Sequence, residues 1–375
     1  MADVVVIGGG YAGLSSLISL AKKNPALKLH LIDANQDHCK ITNLHKTFAT
    51  PVVDFKVPYA QLAERFGFTF HQQQLQIDHN TLKHWQQQKK IPLGDYNLDF
   101  DWLIVSTGAA ALVPPKGSHV YGLEHLMAGR GPALLEEWST RAAMQPLDIS
   151  FIGGGATGLQ ILFELRALIR RQKIAAGLRL IDMNHRTLPL MPQGAHRYIV
   201  RKLQQEGITY LPETEYLEQN DTSIMLKECG NGREYQLDSA ATLLFAGVKR
   251  APVSLPTNPC GQIEIEGVLL PDIFSAGDCS DYAGNGLNQL TAQAAIRKGK
   301  PVAHNIVNLH AGRRPRSYHY QEKGYLMSLG PIDAIGWVGL RCNLARGFPA
   351  NVLKEAMESQ YDLFLDGVDT YIGWP

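Results

Sequence analysis

The sequence has no apolar run that approaches the ~18 residues needed for a membrane-spanning helix. Its first residues, Met1-Ala2-Asp3, carry no lysine or arginine, so they do not resemble a signal peptide. Charged residues make up only 19% of the chain, and 36 lysines and arginines balance 35 aspartates and glutamates. The resulting net charge of +1 argues against a surface that neutralises many phosphates. We therefore expect no nucleic-acid partner and no transmembrane segment.

Cysteine pairs at short spacing are also missing. The five cysteines are Cys39, Cys229, Cys260, Cys279 and Cys342. No CxxC pair occurs, which excludes a local redox disulfide or zinc knuckle and favours a reduced, cytoplasmic setting. The 13 histidines show no H-E-x-x-H spacing, and single ones such as His45 are interpreted as structural. We predict no metal site. With 375 residues, of which 45% are hydrophobic, the chain can form two or three well-packed domains.

A dinucleotide-binding pattern opens the chain. Residues 4–7 predict a buried parallel strand, residues 14–23 a helix and residues 29–33 a second strand. The turn before the helix has G-x-G-x-x-G spacing, at Gly8, Gly10 and Gly13. Such glycines allow a tight turn, a close approach of the backbone to a pyrophosphate, and close helix packing. Asp33, 20 residues after the last glycine, is placed to accept hydrogen bonds from ribose hydroxyls.

The same pattern returns about 145 residues later. A strand over 149–152 leads into Gly153, Gly155 and Gly158, then a helix over 159–171 and a strand over 178–182. Two copies of one unit indicate two nucleotide-binding domains. Asp182 ends the second strand, and an acid there repels a 2′-phosphate, which favours NAD over NADP. The neighbouring His185 and Arg186 could reverse this preference.

The remaining segments are less regular. Residues 68–100 are polar and alternate loosely, which predicts an antiparallel meander inserted in the first domain. Apolar strands are predicted over 102–108 and 241–247, and residues 271–279 form a strand that ends in Gly277-Asp278. From residue 318 onward, short apolar runs and a helical patch over 351–361 predict a small third region.

Four of these elements, in this order, resemble the flavoprotein superfamily with the pyridine nucleotide–disulfide oxidoreductase fold. The matching stretches are 7–13, 106–108, 152–158 and 273–278. The resemblance implies an α/β fold with two Rossmann-like, glutathione-reductase-like domains and a small C-terminal region. It assigns FAD to residues 1–112 and 250–315, NAD(P)H to residues 113–249, and leaves 316–375 as the C-terminal region.

The same resemblance implies which residues contact the cofactors. They are Gly8, Gly10, Tyr11, Ala12, Gly13, Asp33, Thr107, Gly108, Gly153, Gly155, Thr157, Gly158, Asp182, Gly277, Asp278 and Ala292. Asp278 would contact the flavin ribitol chain. The expected nicotinamide cofactor is NADH, with NADPH as the less favoured alternative.

Within the superfamily, the chain most resembles type II NADH dehydrogenases and reductases similar to apoptosis-inducing factor. Residues 31–33, 245–252 and 291–295 support this resemblance. Gln293 begins the helix that, in this family, abuts the flavin and the quinone pocket, and Arg297 follows one turn later. Two departures stand out in the sequence. Gln160 replaces the family's usual glutamate after the second glycine turn, and Arg297 and Lys298 replace later glutamines. Gln293, Arg297 and Gln160 are the candidate catalytic residues.

The resulting hypothesis is a FAD-dependent oxidoreductase that passes hydride from NADH to FAD and electrons on to a quinone or other small acceptor. Redox cysteines are not involved, because no cysteine pair follows the first unit and Cys279 is interpreted as a packing residue. Two alternatives remain open. One is a soluble reductase for a protein or biosynthetic acceptor, and the other is a flavin-binding protein with little turnover.

The C-terminus lacks the basic amphipathic helix that usually anchors these dehydrogenases to a bilayer. We expect a cytoplasmic protein, with peripheral contact at the inner face of the membrane as an open alternative.

Overall fold

The computed structural model describes residues 2–283, 288–320 and 322–370. The α-helices are α1 (Tyr11–Lys23), α2 (Tyr59–Phe66), α3 (His79–Gln88), α4 (Leu123–Met127), α5 (Gly131–Ala142), α6 (Ala156–Gln172), α7 (Gln193–Gln205), α8 (Ala292–His310) and α9 (Gly347–Leu365). Short 3-10 helices cover Ile41–Lys46 and Val52–Phe55.

The strands of the first two-thirds of the chain are β1 (Asp3–Ile7), β2 (Lys28–Asp33), β3 (Asp37–Cys39), β4 (Lys56–Pro58), β5 (Phe68–Gln72), β6 (Lys90–Leu93), β7 (Tyr96–Asp99), β8 (Trp102–Val105), β9 (Ala109–Ala111), β10 (Val120–Tyr121), β11 (Leu147–Ile152), β12 (Ala176–Ile181), β13 (Thr209–Leu211), β14 (Thr214–Gln219), β15 (Ser223–Glu228), β16 (Glu234–Asp238) and β17 (Ala241–Leu244). The later strands are β18 (Val248–Arg250), β19 (Leu255–Thr257), β20 (Gln262–Ile265), β21 (Val268–Ser275), β22 (Ser280–Tyr282), β23 (Gly324–Ser328), β24 (Ala334–Val338) and β25 (Leu344–Arg346).

Two largely parallel sheets carry the glycine turns. The first has eight strands in the order β22-β19-β20-β21-β8-β1-β2-β5, and the second has five in the order β10-β17-β11-β12-β13. Strand β1 lies between β2 and β8, and β11 lies between β12 and β17, all in parallel pairs. Both faces of these central strands are covered, so their continuous apolar runs are fully buried. The predicted α/β class with two Rossmann-like units is confirmed.

The chain passes between the two sheets twice, and the two passages are paired. Strand β9 leads out of the first sheet and β18 leads back, and the two pair antiparallel with Ala109 opposite Arg250. The Leu112 N–H also donates to the Gly247 carbonyl at 3.0 Å. These bonds hold the outgoing and returning segments side by side.

The meander predicted over residues 68–100 is only partly correct. Strand β5 pairs parallel with β2 as the edge of the first sheet, and α3 follows it. Only β6 and β7 form an antiparallel hairpin. Helix α3 begins at an Asp78 cap that accepts the Thr81 N–H at 2.7 Å, and it buries Leu82 and Trp85. The buried pair outweighs the lower helix propensity of the histidines, asparagine and threonine in this helix.

The C-terminal region packs against both sheets. Met327 and Trp337, from the antiparallel sheet β23-β24-β25, lie in the hydrophobic core of the second sheet. Tyr361 and Phe364, from α9, lie in the core beneath the first sheet. The predicted helical patch over 351–361 falls within α9, while residues 371–375 lie outside the described part of the chain. Among the described helices, none combines the length and hydropathy required to cross a bilayer.

Candidate functional site

The first glycine turn leaves open space at the start of α1. Gly8 has a φ of +96°, and a Cβ there would lie 2.4 Å from the Ser106 carbonyl oxygen. A Cβ on Gly13 would lie 1.9 Å from the Gly8 carbonyl oxygen, so this glycine permits close packing. A Cβ on Gly10, by contrast, would meet no heavy atom within 4 Å. Because Gly10 is also the helix N-cap, this space faces N–H donors and the positive end of the helix dipole.

The second turn repeats these contacts. Gly153 has a φ of +102°, and its added Cβ would lie 2.3 Å from the Phe245 carbonyl oxygen. A Cβ on Gly158 would lie 2.4 Å from the Gly153 carbonyl oxygen, and one on Gly155 would meet no heavy atom within 4 Å. The second turn therefore offers an equivalent anion-binding space at the start of α6.

The acidic residues at the ends of β2 and β12 make equivalent hydrogen bonds in the two units. Asp33 Oδ2 accepts the Gly9 N–H at 2.6 Å, and Asp182 Oδ2 accepts the Gly154 N–H at 2.7 Å. In both cases Oδ1 accepts the backbone N–H two residues further along the chain. Each carboxylate thus holds its glycine turn in place by accepting a backbone N–H from it. Asp182 is only 4% exposed. Their contact with a ribose stays a prediction.

Thr107 and Gly108 lie where the chain leaves the first sheet. The Thr107 hydroxyl donates to the Ala251 carbonyl at 2.7 Å, which ties the outgoing segment to the returning one. Gly108 has a φ of +85°, and a Cβ there would meet open space.

Gly277 and Asp278 follow β21 and face the first glycine turn. A Cβ on Gly277 would lie 2.8 Å from the Ala12 Cβ, so this glycine admits α1 closely. Asp278 Oδ1 is buried and has no hydrogen-bond partner among the described residues. Burial raises the pKa of this carboxyl to about 6, although Lys298 and Arg250 act in the opposite direction. A buried acceptor without a donor fits a hydroxyl-rich ligand such as the flavin ribitol chain.

A cavity of about 270 Å³, the acceptor cavity, lies between the two glycine turns and the C-terminal helix. Five residues that the sequence analysis assigned to cofactor binding or catalysis line it: Tyr11, Thr157, Gln160, Ala292 and Gln293. Tyr11 begins α1, Thr157 and Gln160 lie in the first turns of α6, and Ala292 and Gln293 begin α8. The Thr291 hydroxyl caps α8 by accepting the Ala294 N–H at 3.1 Å. The cavity therefore brings together residues that are far apart in the sequence.

Arg297 differs from its expected placement. It lies one turn after Gln293 on α8, yet it is not among the described residues that line the acceptor cavity. It is buried, and its guanidinium lies 5.7 Å from the centroid of the Tyr320 ring. Helical spacing alone predicted a shared face, but the tyrosine offers this cation a more favourable stacking surface.

Sequence reasoning missed the cavity residues supplied by α9 and by the short helix Ile41–Lys46. Lys354, Met357 and Glu358 line the cavity from α9, and His45 lines it from the short helix. Lys354 Nζ is 2.7 Å from Glu358 Oε1 and is almost fully buried. The lysine and the glutamate one turn apart on α9, Lys354 and Glu358, were the available signal.

The five cysteines are all free, and those of the described region hold no disulfide. Cys279 is fully buried, with its Sγ 3.6 Å from the Val105 carbonyl oxygen, as expected for a packing residue. Within the described residues no group of histidines, cysteines and acids has the arrangement of a metal site.

Comparisons with known proteins agree with this architecture. Residues 2–299 match the family model described as pyridine nucleotide-disulphide oxidoreductase. A type II NADH:quinone oxidoreductase from Staphylococcus epidermidis is 26% identical over 97% of this chain and 96% of its own length. Among solved structures, NDH2 from Plasmodium falciparum in complex with NADH has a TM-score of 0.79 at 14% identity, covering 100% of this chain and 99% of its own. The sulfide:quinone oxidoreductase from Aquifex aeolicus has a TM-score of 0.80 at 16% identity, covering 100% and 94%.

Proposed function

Because the chain belongs to the pyridine nucleotide-disulphide oxidoreductase family, we propose that it is a FAD-dependent NADH:quinone oxidoreductase. The observation that carries this proposal is the acceptor cavity, where both glycine-turn helices meet the start of α8. The relative from Staphylococcus epidermidis, matched over nearly its whole length, is a type II NADH:quinone oxidoreductase and supports the same reaction.

FAD is assigned to residues 1–112 and 250–315. The open space at Gly10 accommodates a pyrophosphate, and Asp278 accepts hydrogen bonds from the ribitol hydroxyls. When bound, FAD takes hydride from NADH and supplies electrons to the acceptor. The protein's contribution is to place the two nucleotides at one cavity and to restrict what else enters it.

NADH is assigned to residues 113–249, with its pyrophosphate at Gly155 and the start of α6. Thr157 and Gln160 lie in the first turns of α6 and line the acceptor cavity. This arrangement directs the nicotinamide end of the cofactor toward the cavity.

The acceptor is assigned to the side of the cavity formed by α8 and α9. Gln293 and Gln160 supply amide groups that can bind a quinone oxygen, and Arg297 positions α8 through its contact with Tyr320. Ile41, Thr42 and Met357 line the cavity and are exposed, so its mouth is mainly apolar. An apolar mouth suits a quinone ring and tail better than a charged protein partner, which is why we favour a quinone over a protein or biosynthetic acceptor.

A peripheral contact with a membrane surface is part of the proposal. Apolar side chains of the C-terminal region are exposed to solvent, with Ile332 at 72%, Leu340 at 70% and Phe348 at 64%. Further along α9, the exposed Val352 and Leu353 lead toward Met357 at the cavity mouth. Such a surface can lie against lipid and admit a quinone from it.

The test is to mix the purified flavoprotein anaerobically with NADH and then with a water-soluble quinone. We expect rapid bleaching of the flavin by NADH and rapid recovery of its colour on adding the quinone. The Cys279→Ser variant serves as a control and keeps both rates, because no cysteine takes part. A flavin that stays oxidised with NADH would instead support a binding protein with little turnover.

We expect NADH to be preferred over NADPH by about 10-fold or more in kcat/KM, equal to about 1.4 kcal/mol. The buried carboxylate of Asp182 places a negative charge where the 2′-phosphate of NADPH would lie. The two nearby basic side chains are engaged elsewhere: the Arg186 guanidinium donates to the Pro189 carbonyl, and His185 Nδ1 lies 3.3 Å from Glu213 Oε2. Steady-state kinetics with both cofactors measures the ratio.

The Asp182→Asn variant tests the cause of this preference. It keeps an oxygen for the Gly154 N–H and removes the charge together with the oxygen that accepts the Asn184 N–H, so the ratio should move toward unity. Equal rates with both cofactors in the wild-type protein would contradict the assignment.

A further inference from the structure

A second cavity of about 290 Å³ lies beside the acceptor cavity. Its polar lining includes His45, Lys46, Glu164, Ser328, Asn351 and Glu355. A water molecule occupies about 30 Å³, so the second cavity can hold several. Asn351 Oδ1 is buried and lacks a hydrogen-bond partner in the described part of the chain, which makes it an acceptor for one such water. Ala49 and Pro331, also at the lining, are exposed and mark the opening to solvent.

The two cavities share a wall. His45 lines both of them. Gln160, which lines the acceptor cavity, donates from Nε2 to the Oγ atom of Ser328 at 3.3 Å, and Ser328 lines the second cavity. A hydrogen-bonded contact therefore connects the two spaces.

The fixed charges around the second cavity compensate one another. Lys46 Nζ lies 3.2 Å from the Glu355 carboxylate, and Lys354 Nζ lies 3.2 Å from Glu355 and 2.7 Å from Glu358. Two lysines thus face two glutamates. The strand end at Ser328 contributes no titratable group to the lining.

His45 adds no charge. Burial, together with the nearby Lys354 and Lys46, lowers the pKa of its imidazole to about 3. Its Nδ1–H donates to the Thr42 carbonyl at 2.8 Å, and its Nε2 accepts from Lys354 Nζ at 3.5 Å. The ring is neutral, and its tautomer is set by these two partners.

Glu164 is the remaining acid of the second cavity. It lies four residues after Gln160 on α6, and therefore on the same helix face. Burial raises the pKa of its carboxyl to about 7; Lys46 and Lys354 lower it, and Glu355 raises it further. Near neutral pH this carboxyl can both hold and release a proton.

Reduction of a quinone by NADH takes one proton from water: NADH + H⁺ + quinone gives NAD⁺ + quinol. We propose that the second cavity is the entrance for this proton and that Glu164 holds it beside the acceptor cavity. The proton leaves the Glu164 carboxyl, crosses by water of the second cavity past Ser328 and Gln160 to the reduced quinone oxygen in the acceptor cavity, and is replaced at Glu164 from solvent. Gln160, an amide, cannot hold a proton in this way. The inference rests on the proposed function.

The test compares acceptors that differ in proton demand. In Glu164→Gln, quinone reduction should slow by about tenfold or more. Ferricyanide takes electrons without protons, so its reduction, like flavin bleaching by NADH, should keep the wild-type rate. Glu164→Asp should recover part of the quinone rate. Glu136→Gln removes an exposed carboxylate of α5 outside both cavities and serves as the matched control.

The pH profile separates a proton-holding role from a structural one. Glu164 is protonated below its pKa, so the wild-type quinone rate should fall as the pH rises past about 7. This fall should be absent in Glu164→Gln, and in Glu164→Asp it should occur at a different pH. If the glutamine variant does not fold, the aspartate variant alone provides the test. Infrared spectra of the resting protein should show a protonated-carboxyl band that titrates near pH 7 and is missing from Glu164→Gln.

An unchanged quinone rate and pH profile in folded Glu164→Gln, or the absence of the infrared band, would overturn this inference alone. A wild-type protein that bleaches with NADH but reduces no quinone would overturn the proposed function as well.

Discussion

The Gly10→Val variant is expected to fold but to be purified without its yellow flavin. A Cβ at this position meets no heavy atom of the protein within 4 Å, so valine projects into the space assigned to the FAD pyrophosphate. FAD occupancy should fall by about tenfold or more, a loss of at least ~1.4 kcal/mol of binding free energy. The free energy of unfolding without flavin should change by only about 0.5 kcal/mol. Visible absorbance and chemical denaturation measure the two quantities.

Added FAD provides the control for this variant. A ligand at 100 times its Kd stabilises a protein by about 2.7 kcal/mol, so the melting temperature of wild-type apoprotein should rise with FAD and that of Gly10→Val should not. Full flavin occupancy in Gly10→Val would remove FAD from the first glycine turn.

The Gly155→Val variant should show the opposite pattern: a yellow protein that NADH no longer reduces efficiently. Gly155 has the same open surroundings as Gly10, but it lies at the turn assigned to NADH. Displacing a bound cofactor by about 1 Å can cost a factor of about 100 in rate, so kcat/KM for NADH should fall by about 100-fold. Stopped-flow bleaching measures it.

Reduction by dithionite, which needs no nucleotide site, should remain normal in Gly155→Val. If this variant instead lost its flavin but still bound NADH with wild-type affinity, the assignments of the two turns would have to be exchanged.

The glycine turns could be predicted because their demands are local. Gly8 and Gly13 each lie against a carbonyl oxygen, and Gly153 and Gly158 do the same in the second copy. Only glycine fits such positions, so the spacing is visible in the sequence itself. The predicted start of α1 at residue 14 was late, because the turn residues from Tyr11 already form its first turn.

The acceptor cavity was less predictable because it depends on packing between distant segments. The contact between Lys354 and His45 joins residues 309 positions apart in the sequence, and no local sequence pattern predicts it. The placement of Arg297 failed for a related reason, since Tyr320 lies on a different segment. Within residues 68–100, two local features indicated a helix: the Asp78 cap and the three-residue spacing between Leu82 and Trp85. The many polar residues around them made the segment look like an exposed meander instead.

The packing of the C-terminal region has a consequence for how the chain is made. Met327 and Trp337 fill the core of the second sheet, and Tyr361 and Phe364 fill the core of the first. Synthesis proceeds from the N-terminus, so both sheets leave the ribosome before the segment that completes them. A chain cut short before residue 327 exposes apolar surface on two units at once, and chaperones and proteases recognise such surface. The C-terminal region thus completes both cores, and a chain that lacks it leaves both of them open.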